Sequence, residues 1–213
     1  MQRLILGSDR IDCLPSLLDR APADTPVVYV PTAGDLADDR THVQLDLDRL
    51  TGHGFPVTEL SLAEASPADV ADRLAAARLV FVAGGNGFHL LDCALRSGFA
   101  KAVTPLVREG RVLYLGLSVG GILAGPDMNP TTNQAARAAV PDLASTEALG
   151  LVPFSTLPHY GNPARRERHE EILGQDHAQE IAPVSDEQLV LVHGDNRQVV
   201  SAIDPEVPSW WRS

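Results

Sequence analysis

A serine stands at position 118 between two glycines, in the run Gly116-Leu117-Ser118-Val119-Gly120. Strand-type residues from Val112 to Leu117 precede it, and an apolar, helix-compatible stretch through Ala124 follows. A G-x-S-x-G run between a strand and a helix is the spacing of a nucleophile elbow, in which the serine holds strained backbone angles. Glycines two residues before and after remove side chains that would collide in so sharp a turn. Such a turn lifts the Ser118 hydroxyl out of the sheet and aims the next backbone N–H, that of Val119, at a reacting carbonyl oxygen. The alternative is an ordinary strand-to-helix turn, and the β-branched Val119 keeps that alternative open.

A second glycine turn, Ala83-Gly84-Gly85-Asn86, lies between a strand-like run and Phe88-His89-Leu90-Leu91-Asp92. Backbone N–H groups at the start of a helix can hold an anion or an oxyanion. The turn has neither the G-x-G-x-x-G spacing of a dinucleotide site nor the G-K-[ST] ending of a P-loop. Seven histidines could serve as a base. His42, His53, His169 and His177 read as exposed, His89 as a structural histidine on an inner helix face, and His193 as a strand-end residue. His159 fits best as a general base, because it ends an apolar strand and Pro158 stiffens its approach.

The elements that must position these groups alternate. Short apolar runs at Leu4–Leu6, Val27–Val30, Leu79–Val82 and Val112–Leu117 are separated by segments of helical period, the pattern of parallel strands buried on both faces. Ser66-Pro67-Ala68-Asp69 supplies an N-cap serine, a proline in the first turn and a carboxylate at the positive end of a helix. Helices are expected also from Arg40 to Leu50, from Phe99 to Val107 and from about Pro163 to Leu173. The polar run Gly125–Asn133 reads as a long functional loop. Leu151–Leu157 reads as the strand that delivers His159, and Leu189–Val192 with Gln198–Ser201 as a closing hairpin. Ligands of open parallel sheets bind beyond the carboxyl ends of the strands, where the loops near Pro31, Gly84, Ser118 and His159 would gather.

At 213 residues the chain suits one α/β domain spanning 1–213, long enough to bury roughly 70% of its unfolded surface. Two isolated cysteines, Cys13 and Cys93, offer neither a disulfide framework nor a metal knuckle, and no apolar run reaches the length of a membrane span. The N-terminal apolar run is too short for a signal peptide, so the expected compartment is the cytoplasm. A formal net charge of −11 argues against a nucleic-acid partner and favours a small substrate. No membrane partner, cofactor or metal is expected, and the oligomeric state stays open, a homo-oligomer included.

Taken in order along the chain, these features resemble peptidase family S51, the peptidase E or aspartyl dipeptidase family. Val28-Tyr-Val-Pro-Thr-Ala33 is similar to its second strand, Ala83–Asn86 with Phe88 to its G-G-N-T-F turn, and Gly116–Gly120 to its G-x-S-A-G elbow. Thr131-Thr132-Asn133 resembles its Thr-Thr-Asn loop and Pro158-His159-Tyr160 its P-H-[FY] strand end. The resemblance implies a three-layer, flavodoxin-like domain akin to class I glutamine amidotransferases, with a mostly parallel central sheet. It implies a serine exopeptidase cleaving short peptides with an amino-terminal aspartate. Ser118 would be the nucleophile, His159 the base, the N–H groups of Gly85 and Val119 the oxyanion hole, and Asn86 and Arg166 substrate contacts.

The third catalytic group is left open, because Gln134 stands where the family pattern has aspartate. Gln134 could orient the imidazole through its amide oxygen, and Asp127 or Glu147 could replace it as the acid. Two other readings remain beside this one. The first is a cyanophycinase-like peptidase acting on aspartyl-arginine links. The second is a catalytically silent amidotransferase-like protein that binds a small ligand.

Overall fold

The computed structural model describes residues 1–212. Along the chain run β1 (Arg3–Gly7), β2 (Val27–Val30), α1 (Thr41–Gly52), β3 (Val57–Glu59), α2 (Pro67–Ala76), β4 (Leu79–Val82) and α3 (Gly87–Arg96). They are followed by α4 (Phe99–Arg108), β5 (Leu113–Leu117), α5 (Val119–Leu123), β6 (Phe154–Pro158), α6 (Arg166–Leu173), β7 (Glu180–Val184), β8 (Gln188–His193) and β9 (Asn196–Ser201).

A seven-stranded sheet has the order β3-β2-β4-β5-β1-β8-β9. Its first five strands are mutually parallel, whereas β8 runs antiparallel to β1 and β9 antiparallel to β8. Strand residues point alternately to the two faces, so a strand covered on both sides is apolar at every position. Leu4, Leu6, Val28, Val30, Val80, Val82 and Tyr114 enter one core, beneath α2, α3, α4 and α5. Ile5, Val27, Tyr29, Phe81, Leu115 and Leu117 enter the other, beneath α1 and the C-terminal turn that carries Trp211. The expected three-layer domain with a mostly parallel central sheet is therefore the one observed. Among the described residues no helix is long and apolar enough to cross a membrane.

Local chemistry sets the boundaries. Ser66 caps α2 through a reciprocal capping box: its hydroxyl accepts from the Asp69 N–H at 3.2 Å, and the Asp69 carboxylate accepts from the Ser66 N–H at 3.0 Å. The helix expected from Pro163 begins as a 3-10 turn at Pro163–Arg165 and becomes α-helical only at Arg166. The strand leading to His159 is present as β6, but it pairs outside the main sheet, with β7 in a two-stranded parallel unit. Sequence reading did not anticipate β7, where Pro183 interrupts a mixed polar and apolar run and masks the strand pattern.

One carboxylate is buried within this frame. Asp46, on the inner face of α1, accepts a hydrogen bond from the Tyr29 hydroxyl at 3.2 Å and lies 3.5 Å from the Arg49 guanidinium. Burial outweighs these two partners and pushes its pKa up to about 7, from 3.8. A folded-state pKa above the unfolded one means that the native protein retains a proton which the unfolded chain releases. Its contribution to stability is present below about pH 4 and is lost as pH rises toward 7. We expect Asp46→Asn to gain stability relative to wild type between pH 5 and pH 8, at ~1.4 kcal/mol for each unit of pKa shift removed. Thermal melts of both proteins across that range check the sign.

Candidate active site

Among the described residues only two non-glycine residues have positive φ: Ser118 at 51° and His159 at 59°. Such conformations cost of order 1–3 kcal/mol and persist only where the surroundings fix them. At the elbow the fixing is visible. A Cβ on Gly116 would stand 2.4 Å from the Gly120 carbonyl oxygen, and one on Gly120 would stand 2.1 Å from that of Val82. The Tyr114 hydroxyl, buried in the sheet, donates to the Gly120 carbonyl at 2.8 Å, and the Ser118 N–H donates to the Gly7 carbonyl at 2.9 Å. Val119 is accommodated as the first residue of α5, where its N–H has no acceptor within the helix.

His159 follows the last residue of β6, and its N–H donates to the Ser8 hydroxyl at the end of β1. Its Nε2 lies 3.1 Å from Ser118 Oγ, and its Nδ1 lies 2.7 Å from a carboxylate oxygen of Asp186. With a carboxylate at Nδ1, the proton of the neutral ring sits there, and Nε2 is left as the acceptor facing the serine. The register of the small sheet explains the meeting. Pro158 pairs with Val184, so His159 and Asp186 lie one and two residues beyond the carboxyl ends of adjacent parallel strands.

The carboxylate at the imidazole is therefore none of the three groups considered from sequence. The Gln134 amide donates to the carbonyls of Asn129 and Thr132, at 2.7 and 3.2 Å. Asp127 accepts from the Asn129 N–H, and its backbone forms an isolated bridge with Glu147. Asp186 escaped notice because it follows the strand that Pro183 disguises. The usable signal was the carboxylate two residues past the apolar end of that run.

Other expectations also change. Asn86 is the N-cap of α3: its side-chain oxygen accepts from the His89 N–H, and its amide donates to the Ala136 carbonyl. Each end of that side chain makes one such bond, and Asn86 is not among the residues lining the cavity at Ser118. Arg166 begins α6, is exposed and is not among the residues lining the cavity, whose wall holds Arg165 and Arg168. His169, expected at the surface, is 3% exposed and stacks against Tyr160. His42, also expected outside, lines the cavity. Gly85 lines it too, at φ 141°, where an added Cβ would stand 2.1 Å from the Ala33 carbonyl oxygen.

The cavity measures about 550 Å³ and opens over Ser118 and His159. Its polar lining is asymmetric. On one side stand Asp9, His42, Asp46 and Arg49, and on the other Thr131, Thr132, Arg165 and Arg168. The hydroxyls of Thr131 and Thr132 are buried without a hydrogen-bond partner in the protein. Arg168 donates to the Thr131 carbonyl at 2.7 Å, and burial together with the neighbouring Arg165 charge lowers its pKa. The His159 pKa is lowered from 6.5. Burial is the main cause and Arg165 adds to it, while Asp186 and, more weakly, Asp9 oppose it. A hydroxyl, an imidazole and a carboxylate in this sequence can move a proton off the serine and hold the resulting imidazolium.

A three-layer α/β domain with a serine elbow at the carboxyl edge of its sheet defines the class, and comparison with known proteins gives the family. The model of Peptidase family S51 matches residues 5–200, and the chain belongs to that family. An uncharacterized peptidase of Pasteurella multocida strain Pm70 is 28% identical over 200 residues, covering 92% of this chain and 96% of its own length. Peptidase E of Streptomyces coelicolor is 34% identical over 165 residues, 78% of this chain and 63% of that protein. Among solved structures, a protein described as a peptidase E from Listeria monocytogenes EGD-e superposes with a TM-score of 0.86 at 27% identity, over 94% of this chain and 98% of its own. A peptidase from an acI-B1 actinobacterium shares the fold, with a TM-score of 0.72 at 18% identity over 94% and 88% of the two chains.

The balance of charges at His159 sets an expected pH response. A depressed imidazole pKa places the acid limb of kcat/KM below pH 6.5. Arg165→Ala removes a charge that lowers this pKa, so the limb should move to higher pH. Asp186→Asn removes one that raises it, so the limb should move to lower pH while the rate falls. Initial rates against pH for the three proteins check both directions.

Proposed function

We propose that this S51 member is a serine exopeptidase, dipeptidase E-like, which hydrolyses short peptides bearing an amino-terminal aspartate through an acyl-enzyme on Ser118. The observation that carries the reading is the unbroken line from Ser118 Oγ through the His159 ring to Asp186, at 3.1 and 2.7 Å. In this mechanism His159 Nε2 takes the hydroxyl proton as Oγ attacks the peptide carbonyl. The imidazolium, held by the Asp186 carboxylate, then gives that proton to the leaving amine. Water, deprotonated by the same ring, attacks the ester and releases the acid.

The developing oxyanion needs donors that are in place before the reaction. The Val119 N–H at the start of α5 and the Gly85 N–H in the glycine turn fill that role in this reading. Each such donor is worth roughly 3 kcal/mol in the transition state of comparable hydrolases.

Preference for an acidic side chain has its support on the wall opposite α1. Two guanidiniums, Arg165 and Arg168, stand close enough for one to depress the pKa of the other, and two buried hydroxyls beside them have no partner. A carboxylate entering there relieves the repulsion between the guanidiniums and satisfies the hydroxyls. These residues take the place that the sequence had suggested for Arg166. The reading as a silent protein drew on Gln134 and on Val119; the Asp186 carboxylate beside His159 answers the first, and the place of Val119 as the opening residue of α5 supports the active reading against the second.

Hydrolysis of Asp-Leu and of an aspartyl chromogenic anilide by the purified protein tests the reading. Ser118→Ala is expected to lower the rate by about 10⁶-fold and Asp186→Asn by about 10⁴-fold, as for triads of this kind. Arg168→Ala should raise KM for Asp-Leu about 10- to 100-fold while leaving Ala-Leu unaffected, the worth of a charge-assisted hydrogen bond. Turnover that survives Ser118→Ala would remove the mechanism.

A further inference from the structure

Two carboxylates line the cavity, and they are not equivalent. Asp46 is buried, receives the Tyr29 hydroxyl and faces Arg49. Asp9, two residues past the end of β1, is exposed at the cavity rim, and its carboxylate has no cation within ion-pair distance among the described residues. That isolation stands out in a cavity that also holds Arg49, Arg165 and Arg168. The Arg49 guanidinium is turned to a different atom: it donates to the Asp9 backbone carbonyl at 3.0 Å, which holds the loop and leaves the side chain free. The same loop is pinned from the other side by Ser8, whose hydroxyl accepts from the His159 N–H. Asp9 is thus an unpaired carboxylate on a loop held by two hydrogen bonds, lining the same cavity as the reacting hydroxyl and near enough to His159 for its charge to bear weakly on the ring.

From this placement we infer that Asp9 is the anchor for the free α-ammonium of the substrate, and so the residue that makes the enzyme act at an unblocked amino terminus. The inference rests on the peptidase reading above and assigns the recognition of the amino end, as distinct from the acidic side chain. The chemistry points to an ammonium rather than a metal ion. A divalent cation takes about six oxygen ligands, whereas the second carboxylate of the cavity, Asp46, is already engaged by Tyr29 and Arg49, and the other groups on this side are a guanidinium, an imidazole and an engaged hydroxyl. A primary ammonium needs only one carboxylate and is otherwise solvated at the rim. The two walls then read the two charges of an amino-terminal aspartate separately, the negative side chain at Arg165 and Arg168 and the positive amine at Asp9. The scissile carbonyl lies between them, over Ser118.

The test measures binding in proteins that cannot turn over. Ser118→Ala protein is titrated calorimetrically at pH 7 with Asp-Leu and with N-acetyl-Asp-Leu, and the Ser118→Ala/Asp9→Asn double variant is treated alike, each checked for an unchanged thermal melt. We expect the first protein to prefer the free amine by about 10- to 100-fold and the double variant to lose that preference, through weaker binding of Asp-Leu alone. Asp9→Glu in the same background should restore part of it. An equal preference in both proteins, or a matching loss of affinity for the two ligands, overturns the anchor and leaves the peptidase reading standing. Failure of the Ser118→Ala protein to bind either dipeptide overturns the peptidase reading itself.

Discussion

The carboxyl end of β1 ties the two reacting groups together. The Gly7 carbonyl holds the N–H of Ser118, and the hydroxyl of the next residue, Ser8, holds the N–H of His159. Both residues it grips are in left-handed backbone conformations that no other non-glycine residue among those described adopts. A strained conformation survives when several independent contacts would be lost by relaxing it. At Ser118 these are the Gly7 bond, the close approach of Gly120 to Val82 and the Tyr114 hydroxyl. At His159 they are the Ser8 bond and the adjoining bond from the Tyr160 N–H to the Val184 carbonyl. Because β1 is paired on both edges, by β5 and β8, the distance between hydroxyl and imidazole is set from a strand inside the main sheet.

How much of this could be read beforehand depends on how local each feature is. The elbow is written in five consecutive residues, and the capping box of α2 in four, so both were legible. The central parallel strands β1, β2, β4 and β5 were legible as well, because burial on both faces leaves each apolar throughout, whereas the short edge strand β3, Val57-Thr58-Glu59, carries no such run and was not legible. His159 could be chosen by its place at the end of an apolar strand. Asp186 could not, since its position depends on the pairing of β6 with β7, a nonlocal event between segments that begin at Phe154 and Glu180. The arginines show the same limit on a smaller scale. The 3-10 turn before α6 sets the phase of the helix, and Arg165 and Arg168, three residues apart, then both line the cavity while Arg166 does not. Composition alone does not fix that phase.

Charge is segregated in a way that the net value conceals. A chain of formal charge −11 would repel an acidic ligand at long range, yet three guanidiniums line its principal cavity. At the length scale of a cavity the local field outweighs the distant one, because exposed charges beyond about 8 to 10 Å are screened at ordinary salt. The same arrangement bears on the base. Arg165, one of the cations lining the cavity, also discourages protonation of His159, and Asp186 offsets part of that effect. An imidazole held neutral to lower pH is ready to accept a proton, and the adjacent carboxylate keeps the imidazolium affordable once it forms.

Gln134 belongs to a different task from the one its place in the chain suggested. Its amide donates to the carbonyls of Asn129 and Thr132, so it closes the loop that presents Thr131 and Thr132 to the cavity. An aspartate at this position, having only acceptors, could not make those two bonds. With the carboxylate supplied by Asp186 from beyond β7, the loop need not also approach the imidazole. Here the acid sits just beyond a strand end and the two cavity-lining threonines on a glutamine-tied loop. A change in one of these elements can therefore leave the other in place.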